Sequence, residues 1–190
     1  ARSSSVCAHP VELFVEVARR SAELMDALLR VLYRAAVDRL EPAVPVVIAA
    51  VGGYGRRLLG WKSDLDVRLL TSARPEQLER LAEAILYPLW DAGVSVGHQV
   101  VTLDSLLEDA RSDLPTATAL LDFRPLVGDV ELAHALNERM YEEVFAPRER
   151  GAFLERLQAE VRARRARMSD APYEAGPAAS YGEGGRRAPA

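Results

Sequence analysis

The feature that most constrains this chain is Gly52-Gly53-Tyr54-Gly55, followed after a short basic loop by Ser63-Asp64-Leu65-Asp66. The apolar run Val44 to Val51, with Pro45 near its start, reads as a strand, and Asp64 to Leu70 reads as a second. Side chains alternate faces along a strand, so Asp64 and Asp66 are expected to point the same way. Two hard oxygen ligands on one face suit Mg²⁺, which keeps several waters and is completed by substrate phosphates. The glycines let backbone N–H groups approach an anion closely. Two same-face carboxylates with no lysine nearby to pair them repel each other unless a cation sits between them.

The bulk properties bound the rest. One hundred and ninety residues fit one domain, or one domain with a helical appendage. The chain is 49% hydrophobic and 27% charged, enough apolar residue for a core and an ordinary charge density. A net charge of −4 and a pI near 5.5 give no argument for nucleic acid or an anionic membrane as partner. The single Cys7 excludes an intrachain disulfide and a cysteine metal cluster. No apolar run reaches the roughly 18 residues of a membrane span. A reduced, cytoplasmic setting is the expectation. The chain does not begin with Met, which fits a fragment or a processed form.

Along the chain, residues 1–9 read as a flexible leader. A helix is expected from Pro10 to about Leu40, its apolar positions Leu13, Val17, Leu24, Leu28, Val31, Leu32 and Ala35 recurring every three or four residues. Pro75 opens a second helix that meets Pro88, which should kink or end it near Tyr87. A third strand is expected from Val94 to Val101. From Thr102 onward the pattern is helical: Asp104 caps a short helix, Asp113 another to about Phe123, Asp129 opens one through Phe145, and Pro147 opens a long one to Met168. The last residues, rich in Ala, Gly and Pro, read as loop. The organisation expected is thus a core over 10–103, a helical region over 104–168 packed on it, and a tail over 169–190. The fold class is α/β (α+β), a small mixed sheet flanked by helices.

At this point the string VGGYGRRLLGWKSDLDVRLL resembles the signature of the nucleotidyltransferase domain of the bacterial PII uridylyltransferase family, VGGYGRGEL-x-P-x-SDIDLL. That family lies in the DNA polymerase beta-like nucleotidyltransferase superfamily, marked by Gly-Gly or Gly-Ser followed by Asp-x-Asp. Four later stretches match in order. Leu89 to His98 resembles LWDLGL-x-VGH, and Thr116 to Leu121 with Arg124 resembles TALLEAR. Arg162 to Tyr173 resembles a basic stretch before Pro-Tyr, and Gly182 to Arg187 resembles GPGGLRD. The resemblance implies that Gly52 and Gly53 hold a triphosphate and that Asp64 and Asp66 ligate Mg²⁺, with Mn²⁺ as the alternative ion. It implies that Ser63 caps the loop or touches a phosphate, and that Arg56 contacts the nucleotide. The implied reaction is in-line attack on the α-phosphate of a nucleoside triphosphate with loss of pyrophosphate; in the family UTP is the donor and a tyrosine hydroxyl on PII the acceptor.

The departures are as informative. The family glycine after Gly-Arg is Arg57 here, the usual Glu is Leu58 and the usual Pro is Trp61. In the tail the family's Glu corresponds to Tyr181 and the closing Asp to Ala188. Nothing in this sequence corresponds to the family's HD hydrolase or ACT domains, so no deuridylylating or glutamine-sensing role is assigned. These differences leave a second reading, a catalytically degenerate module that keeps the fold and binds nucleotide or partner. A small-molecule transferase of the aminoglycoside-modifying kind shares the glycine and paired-aspartate core, but the downstream helical motifs argue against it.

Other signals weigh less. Trp61 between Gly60 and Lys62 breaks the spacing of a Walker A loop. The third strand offers no acid as a further metal ligand, and His98 and Asp104 are the nearest candidates. His98 and His134 read as structural, Trp90 as core, and the run Arg162, Arg164, Arg165, Arg167 as a solvated helix face. Tyr181 is a speculative self-modification target.

Overall fold

A run of five small and branched apolar residues needs cover on both faces, and Val46–Ala50 is buried at every position. This strand, β1, pairs antiparallel with β2 (Leu65–Thr71) on one side and with β4 (Arg124–Gly128) on the other; β3 (Val96–Thr102) runs parallel to β2. The sheet order is β3-β2-β1-β4. The computed structural model describes residues 10–60 and 62–169. The expected leader, Trp61, Tyr181, Ala188 and the 182–187 motif lie outside the described residues.

One face of the sheet, carrying Ile48, Val67 and Leu69, is buried in a cluster with Leu29 of α1 (Pro10–Leu40) and Ile85 of α3 (Glu79–Asp91). The register places Ala49, Asp66 and Arg68 on the opposite face. α4 (Leu103–Ser112), α5 (Leu114–Leu120) and α6 (Val130–Arg139) bury Leu106, Ala117 and Leu136 in the same unit. The chain divides after Val144 into two compact units. The second contains α7 (Arg150–Ser169), where Phe145 and Phe153 stack edge to face at 5.2 Å. Arg162 and Arg165 are exposed on that helix. No helix of the described residues is long and apolar enough to cross a membrane.

The mixed sheet with flanking helices is the expected class, but four local expectations need correction. The sheet has a fourth strand, because Arg124-Pro-Leu-Val-Gly128 pairs with β1. Its length and its proline hid it: Pro125 cannot donate to a ladder, and it is tolerated on an edge strand where the register shifts beside Ala49. The buried stripe of α1 is rotated from the expected one. Leu13, Val17, Leu24 and Val31 are exposed, while Ala22, Asp26, Leu29 and Ala36 are buried. A polar residue at the centre of the stripe disguised it. α3 continues through Pro88 to Asp91; so near the helix end the proline removes one hydrogen bond without stopping the turn. α4 is capped by Thr102, whose hydroxyl accepts from the Ser105 N–H at 3.1 Å, and Asp104 instead meets Arg139 at 2.5 Å. Asp113 and Asp129 do cap α5 and α6.

Asp26 is the one buried charge of α1, only 4% exposed, and it is fully engaged. The Tyr54 hydroxyl donates to its Oδ1 at 2.7 Å. Arg124 donates to both oxygens, at 2.6 and 3.1 Å. The same guanidinium donates to the carbonyls of Tyr54 and Gly55 at 3.1 and 3.0 Å, and it lies 5.4 Å from the centre of the Tyr54 ring. Burial first, and the adjoining Asp26 second, push the Tyr54 hydroxyl far above its ordinary range, so it remains a donor. Three elements remote in sequence are thereby tied at one point: α1, the glycine turn and β4.

Removing one partner of a buried ion pair strands the other. Asp26→Ala is expected to cost about 3 kcal/mol or more in urea unfolding. Tyr54→Phe, which removes one donor to a charged group, costs about 1.5–3 kcal/mol. Arg20→Ala, breaking the exposed pair with Glu16, is expected to leave the urea midpoint indistinguishable from wild type.

Candidate active site

The site is assembled where β1 ends and β2 begins. Val51 leaves β1 extended, and its N–H donates to the Asp66 carbonyl at 3.1 Å. The chain then makes a single helical turn, α2 (Gly52–Gly55). Gly52 adopts φ +56°, a conformation that costs an L side chain free energy and that glycine adopts readily. The amides of Gly52, Gly53 and Tyr54 open this turn, where no intrahelical acceptor exists for them. A Cβ on Gly53 would make only ordinary contact, 3.6 Å from the Leu58 carbonyl oxygen. The backbone of Gly53, more than its lack of a side chain, is what the turn uses.

Asp66 occupies the second position of β2 and is partly buried. Its partner across the parallel ladder is Gly97. A Cβ at Gly97 would lie 2.7 Å from Asp66 Oδ1, so the carboxylate lies in space that only a glycine leaves. Its other oxygen faces the glycine turn, 3.7 Å from where a Gly52 Cβ would be. Asp64 immediately precedes the strand. It is exposed and accepts from the Ser95 hydroxyl at 2.5 Å, while the Leu65 N–H donates to the Ser95 carbonyl at 2.9 Å. Ser95 therefore holds both the strand entry and the carboxylate. Asp64 is near enough for its charge to act on Asp66.

Burial is the main cause that raises the Asp66 carboxyl above its ordinary range; the Asp64 charge adds to it, and Arg68 opposes it. Arg68 is the charged neighbour of Asp66 that sequence reasoning missed. The expectation is confined to lysine and does not consider this arginine, two residues beyond Asp66 on the same strand face. Continuing the alternation 64, 66 to 68 would have found it. Arg68 itself is lowered by burial and lifted by Asp66. Neither carboxylate has a basic side chain within ion-pair distance among the described residues.

Ser63 and Arg56 have local partners. The Ser63 hydroxyl and N–H both donate to the Gly60 carbonyl, at 2.9 and 3.1 Å, closing the loop that delivers Asp64. Arg56 is paired with Asp122. Its Nη2 lies 4.0 Å from where a Gly53 Cβ would be, so its charge is beside the glycine turn. Arg57, where the resembled motif has glycine, takes φ +61°. Trp90, expected in the core, is 39% exposed and stacks between Tyr87 and His98 at 5.5 and 5.4 Å. His98 is on the face opposite Asp66 and so is not a ligand beside it. Asp104 is engaged with Arg139.

The donor set fits a hard divalent cation. Two carboxylates leave most of a six-coordinate shell to water and phosphate oxygens, the usual state of Mg²⁺ in nucleotide sites. Among the described residues no group of three or more His, Cys, Asp or Glu side chains could hold a metal without such help. A surface depression of about 510 Å³ lined by Ser72, Arg74, Gln77 and Thr102 lies at the other end of β2.

The fold and the paired carboxylates beside a glycine turn define a small α+β nucleotidyltransferase-like domain. No protein-family model matches the chain. Individual relatives do. It is 38% identical over 179 residues to the bifunctional uridylyltransferase/uridylyl-removing enzyme of Novosphingobium aromaticivorans, covering 90% of this chain and 20% of that protein. It is 38% identical over 173 residues to the protein of the same name from Erythrobacter litoralis, covering 87% and 19%. With that of Bradyrhizobium sp. (strain ORS 278) it shares 34% over 177 residues, 90% and 19%. The resemblance seen in the sequence is borne out: the chain is a homologue of one segment of these enzymes, spanning about a fifth of their length.

Two outcomes are expected. Gly97→Ala forces the Asp66 carboxylate aside; since the clash is with the end of a side chain, the thermal midpoint shifts by only a few degrees, while Mn²⁺ binding, read by electron paramagnetic resonance, weakens at least tenfold. The second concerns pH. A carboxyl raised in the folded state binds more protons there than in the unfolded chain, so the metal-free fold loses stability as pH rises from the ordinary carboxylate range through the folded value. Asp66→Asn removes that loss. The metal-free variant melts above the wild type at pH 7, and the difference vanishes at about pH 3.

Proposed function

We propose that this chain is a Mg²⁺-dependent nucleotidyltransferase domain that transfers UMP from UTP to a hydroxyl of a protein acceptor, a PII-like signalling protein in the cytoplasm. The single observation that carries the reading is the placement of Asp66. Its carboxylate is seated between Gly52 and Gly97, beside Asp64, in a position that disfavours its own charge without a cation. The names of the relatives supply the donor class, and the resemblance supplies the acceptor.

In this reading Asp64 and Asp66 hold the divalent ion, which would neutralise charge on the phosphate oxygens. The amides of Gly52 and Gly53 donate to the triphosphate at the start of α2, where backbone N–H groups are unsatisfied within the helix. Ser95 orients Asp64, and Ser63 fixes the loop that carries it. The Asp26–Arg124 pair holds the turn in register with β2, so that the phosphates and the carboxylates meet in one place. The acceptor oxygen bonds to the α-phosphorus as the bond to the bridging oxygen of the β-phosphate breaks. Pyrophosphate leaves with that electron pair, and the hydroxyl proton passes to solvent.

The departures at Arg57 and Leu58 are compatible with these roles. Leu58 is exposed, and its contribution to the turn is a backbone N–H donated to the Gly53 carbonyl at 3.0 Å, which any residue but proline can make. The test uses the purified chain with Mg²⁺, labelled UTP or ATP, and a PII-type acceptor. Label from UTP is expected on the acceptor, and Asp64→Ala with Asp66→Ala is expected to cut the rate by at least about a thousandfold, roughly 4 kcal/mol. Transfer surviving that double substitution would sink the assignment of the two carboxylates. Binding of nucleotide without turnover would identify the degenerate module instead.

A further inference from the structure

Arg56, Arg57 and Arg124 adjoin the glycine turn, and Arg68 follows the carboxylates on β2; Arg124 and Arg56 are committed. Arg124 is consumed by Asp26 and two backbone carbonyls, and Arg56 is paired with Asp122. Arg68 is different. It is partly buried on β2 and faces Ala49 on one neighbouring strand and Gln99 on the other. Its guanidinium makes one hydrogen bond among the described residues, from Nη1 to the Val67 carbonyl at 3.1 Å. No carboxylate lies within ion-pair distance of it among the described residues. A guanidinium has five donors, so four remain. Two residues along a strand span about 6.6 Å, which puts the Arg68 backbone just beyond Asp66 on the face that carries that carboxylate.

We propose that Arg68 binds the phosphate chain of the donor nucleotide directly, so that the centre works with one divalent ion and one fixed guanidinium. This rests on the nucleotidyltransferase reading above and extends it to a residue that neither the glycine turn nor the paired aspartates imply. The charge count supports it. Two carboxylates and one arginine leave a single net negative charge on this face, which one divalent ion more than neutralises. A second divalent ion would find no third carboxylate or histidine among the described residues to hold it. An arginine fork matches two phosphate oxygens at once, needs no dehydration of an ion, and keeps its charge at every working pH. Held on a partly buried face, it would stabilise negative charge more strongly than it could in open water.

The test is equilibrium binding of a non-hydrolysable UTP analogue to the 190-residue chain with Mn²⁺, combined with paramagnetic resonance to count the bound ions. The wild type is expected to bind one Mn²⁺ per chain in the ternary complex. Arg68→Gln is expected to weaken the analogue about ten- to a hundredfold, the size of one or two charge-assisted contacts. The same variant is expected to bind Mn²⁺ alone at least as well as wild type, because a repelling charge is gone. Arg68→Lys is expected between the two and serves in place of the glutamine variant should that one fail to fold by circular dichroism. Two ions per chain, or analogue affinity within twofold of wild type in both variants, overturns the proposal. In that event loss of binding in Asp64→Ala/Asp66→Ala leaves the nucleotidyltransferase reading standing. If the wild type binds neither ion nor analogue, both fall together.

Discussion

The structure depends on a buried aspartate in the middle of its first helix. A carboxylate out of water is tolerated only when its charge is paired and its lone pairs are filled. Asp26 meets both conditions through Arg124 and Tyr54. The consequence reaches beyond stability. Arg124 belongs to the edge strand β4 and Tyr54 to the glycine turn, and the guanidinium also holds the carbonyls of Tyr54 and Gly55. A fork of five donors in fixed geometry leaves the turn little freedom to shift relative to α1 or β4. Hydrogen bonds between β1 and β2 carry that placement on to Asp66. The amides of the glycine turn and the two carboxylates beside it are thus located by one polar cluster of Asp26, Tyr54 and Arg124.

That cluster was hard to read in the sequence for a physical reason. A helix stripe is recognised by apolar residues at its period, and Asp26 interrupts it. The exposed leucines and valines of α1 then suggest a different face from the one that is buried. The contacts of Asp26 lie 28 and 98 residues away, beyond any local pattern. β4 was hidden in a similar way, because a five-residue edge strand containing proline has neither the length nor the alternation that marks a strand. What was legible was local. The caps at Asp113 and Asp129 and the strands flanking the glycine turn all follow from neighbours within a few residues.

The described loop departures from the resembled motif, Arg57 and Leu58, are ones a backbone can absorb. Arg57 occupies a left-handed conformation, at a cost of about 1 kcal/mol that glycine would not bear. The cost is local, and the turn retains its course into Leu58, whose N–H still reaches Gly53. Gly52 and Gly97 are another matter. The first is held in a positive-φ conformation beside Asp66, and the second faces an oxygen that would lie inside the contact distance of any added methyl. The chain keeps glycine where the carboxylate needs the room and varies where only the loop surface is concerned.

This pattern bears on whether the site is a remnant. A partly buried aspartate beside a second aspartate is unfavourable to the empty fold, because burial and the neighbouring charge both oppose its ionisation. A site relieved of function would lose nothing by exchanging Asp66 for an amide or an apolar residue, and the face would gain stability. Instead the fold spends two glycines and a serine on holding the pair in place, and sets an arginine beyond it that has no carboxylate partner within the described structure. Groups that destabilise the empty chain yet are individually supported are those whose energy is recovered when a ligand of complementary charge arrives. The charges that would complement these groups are a cation between the carboxylates and an anion across the glycine turn and Arg68, as the proposed metal-bound phosphate chain would supply.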